Sequence, residues 1–91
     1  MKKRDLVFWV TRNGYKFWSI IGCIKKGQAY TVTDSCSHWI SLDKLVPASI
    51  EQVIQYERRK WKTSAFATRN KVGIALKLVD SISQPKRDDV P

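Results

Sequence analysis

Apolar and polar positions change their period near Pro47. Before it, short runs rich in β-branched and aromatic residues alternate with turn-formers. Asp5 to Thr11 reads as a first strand, closed by Arg12-Asn13-Gly14, and Asn-Gly is a strong hairpin signal. Tyr15 to Ile24 reads as a second strand, and Lys25-Lys26-Gly27-Gln28 turns the chain. Gln28 to Thr33 is a third strand, followed by the turn Asp34-Ser35-Cys36-Ser37. His38 to Leu42 is a fourth, running into Asp43-Lys44-Leu45-Val46-Pro47. Four short strands joined by tight turns predict a meander, which loses its open edges if it curls into a small barrel.

After Pro47 the spacing turns helical. Ser49 stands three residues before Gln52, the arrangement of a capping box. Ile50, Val53, Ile54, Glu57 and Trp61 then share one face, predicting an amphipathic helix over 50–61 with Trp61 toward the core. Over 64–82, Val72, Ala75, Leu76, Val79 and Ile82 fit a helical stripe, and Ala, Lys and Leu favour that state. Val72, Ile74, Leu76 and Leu78 also alternate as in a strand, and Gly73 weakens a helix. Helix is favoured and a hairpin stays open. Ser83 to Pro91 has little to bury and is expected to be disordered. The expectation is an α+β chain: a small antiparallel barrel or curled meander of four to five strands, then one or two C-terminal helices. Residues 1–82 form one basic domain, β-rich over 5–47 and mainly helical over 49–82.

A two-residue loop at Lys26-Gly27 sets a register. It pairs Cys23 with Tyr30, Ile21 with Val32 and Phe17 with Cys36. Those six residues would form the core face. The opposite face, with Trp18, Ile20 and Ile24 against Ala29, Thr31 and Thr33, is unusually apolar for one open to water. Either the C-terminal helices cover it, or it is a platform on which bases stack.

Charge adds a partner class. Seventeen Lys and Arg stand against eight Asp and Glu, a net charge of +9, and a field of that size draws polyanions. The excess belongs to both halves: residues 1–48 hold eight cations and three anions, residues 49–91 nine and five. The densest cluster is Glu57-Arg58-Arg59-Lys60-Trp61-Lys62. Arg12 with Lys16, and Lys25 with Lys26, occupy hairpin turns that can straddle a phosphate backbone. Lys2, Lys3 and Arg4 add cations, and Arg69, Asn70 and Lys71 form a third patch. The candidate nucleic-acid contacts are Arg12, Lys16, Lys25, Lys26, Arg58, Arg59, Lys60, Lys62 and, for stacking, Trp18.

Other chemistry is sparse. Cys23 and Cys36 lie several pairs apart along the ladder, too far for a disulfide, and both read as small core residues. With His38 they supply three ligands and no C-x-x-C knuckle, so neither a metal nor a cofactor is expected. His38 reads as a structural or edge residue. No Gly-rich phosphate loop, nucleophile elbow or spaced carboxylate pair is present, so the expectation is a non-enzyme. No segment reaches the roughly 18 apolar residues of a membrane span, and the stretch after Met1-Lys2-Lys3-Arg4 is too short for a signal-peptide h-region. The expected location is the cytoplasm, with nucleoid or nucleus association if DNA is the ligand.

The strand with aromatics, the Gly turn, the second strand and then Trp39-Ile40-Ser41-Leu42-Asp43-Lys44-Leu45-Val46-Pro47 resemble SH3-like barrels. The segment is similar to the Tudor group and to the C-terminal DNA-binding domain of retroviral integrases, over residues 5–47. The resemblance implies a five-strand barrel that binds nucleic-acid backbone or a short peptide. A Tudor-type aromatic cage would need Trp9, Trp18, Tyr30 and Trp39 to converge at one rim. Two functions follow as expectations. One is a nucleic-acid binder, DNA or RNA, of limited sequence specificity. The other is a small adaptor or inhibitor docking on an acidic protein, of a size that suits an accessory factor of a phage or other mobile element.

Overall fold

The computed structural model describes residues 1–82, and the expected disorder of 83–91 lies outside them. Strands β1 (Leu6–Val10), β2 (Lys16–Lys25), β3 (Gln28–Val32) and β4 (Ser37–Ser41) follow one another as antiparallel hairpins. A single 3-10 turn, Leu42–Lys44, leads into β5 (Leu45–Pro47), which returns to pair with β1. The sheet order is β4-β3-β2-β1-β5, so the sheet is open, with β4 and β5 as its edges. Helices α1 (Ile50–Trp61) and α2 (Ala65–Ser81) complete an α+β fold. Of the two architectures expected from the sequence, the curled meander is the one formed. No helix among the described residues is long and apolar enough to cross a membrane.

Local chemistry explains these boundaries. Lys26 and Gly27 both have positive φ, 52° and 78°, as a two-residue hairpin turn requires. Gly14, at φ 86°, closes the first hairpin, where Thr11 Oγ1 also accepts from Tyr15 N at 3.1 Å. At the start of α1, Ser49 Oγ accepts from Gln52 N while Gln52 Oε1 accepts from Ser49 N, the full capping box. Lys62 ends that helix in the left-handed conformation (φ 56°), its N–H bonded to Arg58 O. Ser64 caps α2 by accepting from Ala67 N at 3.1 Å. The open question over 64–82 resolves as helix, because Thr68, Val72, Ala75 and Val79 turn to the core. The residues a strand would have put on one face are divided: Val72 is buried, while Ile74 and Leu78 are exposed.

Two clusters lie on opposite faces of the sheet. Phe8, Trp18, Ile20 and Val32 meet Val53, Val72, Ala75 and Val79 of the helices. Val7, Ile21, Ala29, Ile40 and Leu45 form the cluster on the face away from the helices. Residues 18–22 in the middle of β2 are buried without a break. The expected register holds at Cys23–Tyr30 and fails beyond it. A bulge between Ile21 and Cys23 pairs Ile20 with Val32 and Ile21 with Thr31, so Ile21 belongs to the face away from the helices. The bulge sits at Gly22, where a Cβ would meet Tyr30 Cδ2 and Tyr30 O, each at 3.2 Å. That approach suits a residue without a side chain.

Candidate functional site

The tip of the first hairpin and the C-terminal end of α1 come together at one end of the molecule. Tyr56, one turn before the end of α1, donates its hydroxyl to the carbonyl oxygen of Lys16 at the start of β2. Its ring lies 5.6 Å from that of Phe8. Two contacts of different kind therefore lock the helix to the hairpin.

Around this junction the cations and rings interleave. The Lys60 ammonium lies 5.3 Å from the Tyr15 ring centroid, 5.4 Å from Phe17, 5.6 Å from Tyr56 and 5.6 Å from Trp61. Lys16 Nζ lies 5.0 Å from the Phe8 centroid. Each such contact adds about 0.5–1 kcal/mol at an exposed site, enough to hold Lys60 over the rings while leaving its charge at the surface. A groove runs beside them, lined by three cations (Lys16, Arg59 and Lys60), one carboxylate (Glu51) and the rings of Phe8 and Tyr56, among others. Tyr15, Phe17 and Trp61 are exposed along the same edge.

Tyr56 also borders a second, less open cavity of about 430 Å³, lined by Trp9, Phe17, Trp18 and Trp61 and, on the strand side, by Ser19, Thr31 and His38. Trp9 stacks obliquely on Phe17 (5.7 Å) and faces His38 (5.9 Å). Glu57 reaches this cavity from the apolar stripe of α1. It is 4% exposed, and its Oε1 accepts from Lys71 Nζ of α2 at 3.1 Å. Ser19 is 5% exposed, and its hydroxyl has no hydrogen-bond partner.

The expected site residues divide by position. Lys16, Arg59 and Lys60 line the groove, and Arg12 is exposed on the same hairpin tip. Arg58 and Lys62 are exposed but belong to neither lining. Lys25 and Lys26 stand at the other end of β2; at about 3.3 Å per residue that is roughly 25–30 Å away. Trp18 is not an open stacking platform. The helices cover it, leaving it 6% exposed with an edge on the cavity. Trp61, expected to face the core, is 61% exposed. It is the last residue of α1, one full turn past Glu57, where the stripe has already run past the buried contacts. Cys23 is half-buried and Cys36 exposed, rather than both in the core. His38 is on the edge strand, as expected. Among the described residues no three of His, Cys, Asp and Glu gather as a metal site.

The four Tudor-type candidates do not share a rim. Trp9 and Trp18 line the cavity, while Tyr30 and Trp39 pack on each other at 5.3 Å. The aromatic enclosure that does form uses Tyr15, Phe17, Tyr56 and Trp61. Its sequence signal was Tyr15-x-Phe17 beside Lys16, since alternate residues of a strand share a face. The chain matches no family model, and no curated protein or solved structure matches it.

Proposed function

We propose that the protein binds nucleic acid without acting on it chemically, gripping the phosphate backbone with little regard to sequence. Arg12, Lys16, Arg59 and Lys60 neutralise phosphates, and the exposed rings of Tyr15, Phe17 and Trp61 stack on bases. The observation that carries this reading is the interleaving of those cations and rings along one edge, fixed by the Tyr56–Lys16 hydrogen bond. Phosphate charge and base faces are the two things such an edge recognises together.

The test is a salt series on single- and double-stranded DNA and RNA. Four phosphate contacts, one for each of these cations, give a log–log slope of about −3.6 on duplex DNA. Reversing Lys16, Arg59 and Lys60 to Glu should weaken binding and flatten the slope. No binding at low salt would overturn the reading.

One observation favours a second reading. Phe66, Ile74 and Leu78 lie exposed along α2, Phe66 at 75%. Exposed apolar side chains along one helix suit a protein partner, and the net charge of +9 suits an acidic one.

A further inference from the structure

The cavity beside the basic edge differs from the groove in being less open, lined by more rings, and holding buried polar groups. We infer that it receives one unpaired nucleobase, making the protein selective for single-stranded over duplex nucleic acid. This inference rests on the nucleic-acid reading above and adds a site to it.

Four features point to a flat heteroaromatic guest. The volume of about 430 Å³ falls within the usual range of about 300–1,000 Å³ for small-molecule sites. Trp9, Phe17 and Trp61 offer ring faces or edges, and a base stacks on such surfaces whatever its identity. A guest of hydrocarbon alone would leave the buried, unpartnered Ser19 hydroxyl unanswered. That hydroxyl belongs to the strand side of the cavity, and the helix side carries the buried Glu57 carboxylate, whose Oε1 is held by Lys71. A hydroxyl can donate or accept and a carboxylate accepts, which suits the mixed donor–acceptor edge of a base. The rim completes the match: Lys60 sits on Phe17, Tyr56 and Trp61, all of which line the cavity. A base inside therefore leaves its phosphate next to an ammonium.

Duplex bases are stacked and paired, so entry would require flipping one out of the helix; a single strand avoids most of that cost. The backbone contacts themselves do not distinguish the two forms strongly. Selectivity is thus assigned to the cavity and affinity to the edge.

The experiment compares a fluorescently labelled 12-nucleotide DNA with its own duplex at one low salt concentration. Wild type should bind the single strand at least tenfold more tightly. Two variants fill the cavity from different sides: Cys36→Trp from the exposed β3–β4 turn, and Ser19→Leu from the strand floor. Each should bring single-strand affinity down to the duplex level while changing duplex affinity less than twofold. Thermal melts identify a variant that no longer folds; if Ser19→Leu fails there, Cys36→Trp decides. Folded variants that keep wild-type preference for single strands, or a wild type with no preference, overturn the cavity assignment while the edge reading stands on its duplex binding. Absence of binding to both forms removes the edge reading and this one with it.

Discussion

Lys71 of α2 holds the carboxylate of Glu57 at 3.1 Å, inside what is otherwise the apolar stripe of α1. The pair bolts the two helices together, and its two ends are unequal: Glu57 is buried, while Lys71 is nearly two-fifths exposed.

That inequality sets the first prediction. Lys71→Met strands a buried carboxylate and should destabilise by about 1–3 kcal/mol, below the 3–5 kcal/mol of a fully buried broken pair because water reaches the Lys71 side. Glu57→Met continues the stripe and should cost less, or stabilise. Urea unfolding of both variants checks the order; a Glu57→Met protein less stable than Lys71→Met would contradict it.

Gly22 provides the second. Ala there must displace the Tyr30 ring and approach its carbonyl at 3.2 Å. A side chain can swing away, whereas the backbone of a paired strand cannot. The expected loss is about 1–3 kcal/mol, the range for overpacking, with a change in the β2–β3 amide shifts. Unaltered shifts and melting would mean the bulge accepts a side chain.

The third concerns which cations work together. Reversing Lys25 and Lys26 to Glu should leave the salt slope of nucleic-acid binding within one unit of wild type. Reversing Lys16 and Arg59, equal in number, should reduce it by about two. Equal effects from the two double variants would place contacts at both ends of β2.

Arg4 and Asp80 supply a pH prediction. Hydrogen bonding from Arg4 holds the Asp80 carboxyl below its usual range, with Arg4 and Lys3 charge adding to the shift. A carboxylate lowered on folding stabilises above its unfolded pKa, and that contribution is lost as pH falls through the lower folded value. Both groups are exposed, so the contribution to stability is small. Carbon-detected NMR of Asp80 should show the lowered midpoint, and Arg4→Gln should move it most of the way back. A midpoint unmoved by Arg4→Gln would remove Arg4 as the cause.

Short-range chemistry made much of the fold readable in the sequence. The capping box of Ser49 and Gln52 set the start of α1, and Lys26-Gly27 fixed the second hairpin through Cys23–Tyr30. Reading failed where a feature leaves no periodic trace. The bulge at Gly22 exchanged the faces of Ile21 and its neighbours, because one extra residue inverts every later alternation. Trp61 fits the helical stripe, but a stripe does not say where the helix outruns its partner. At the candidate site, the cations of the hairpin and of α1 were each visible. Their meeting depends on Tyr56 reaching Lys16 across forty residues of chain, and no local pattern encodes that.

At Ile20, β2 is paired on both sides, with Leu6 of β1 and Val32 of β3, and the strand there is covered on both faces. Ile20 and Ile21, both fully buried, therefore reach solvent only if the sheet or the helices are lost, and their amides should be among the last to exchange. The two ends of that strand live differently, since each finishes in an exposed cationic turn. Whatever the basic edge grips, a pull on the first hairpin passes through the Tyr56–Lys16 bond into α1 and along β2 into the sheet, so the load is carried by the whole fold at once.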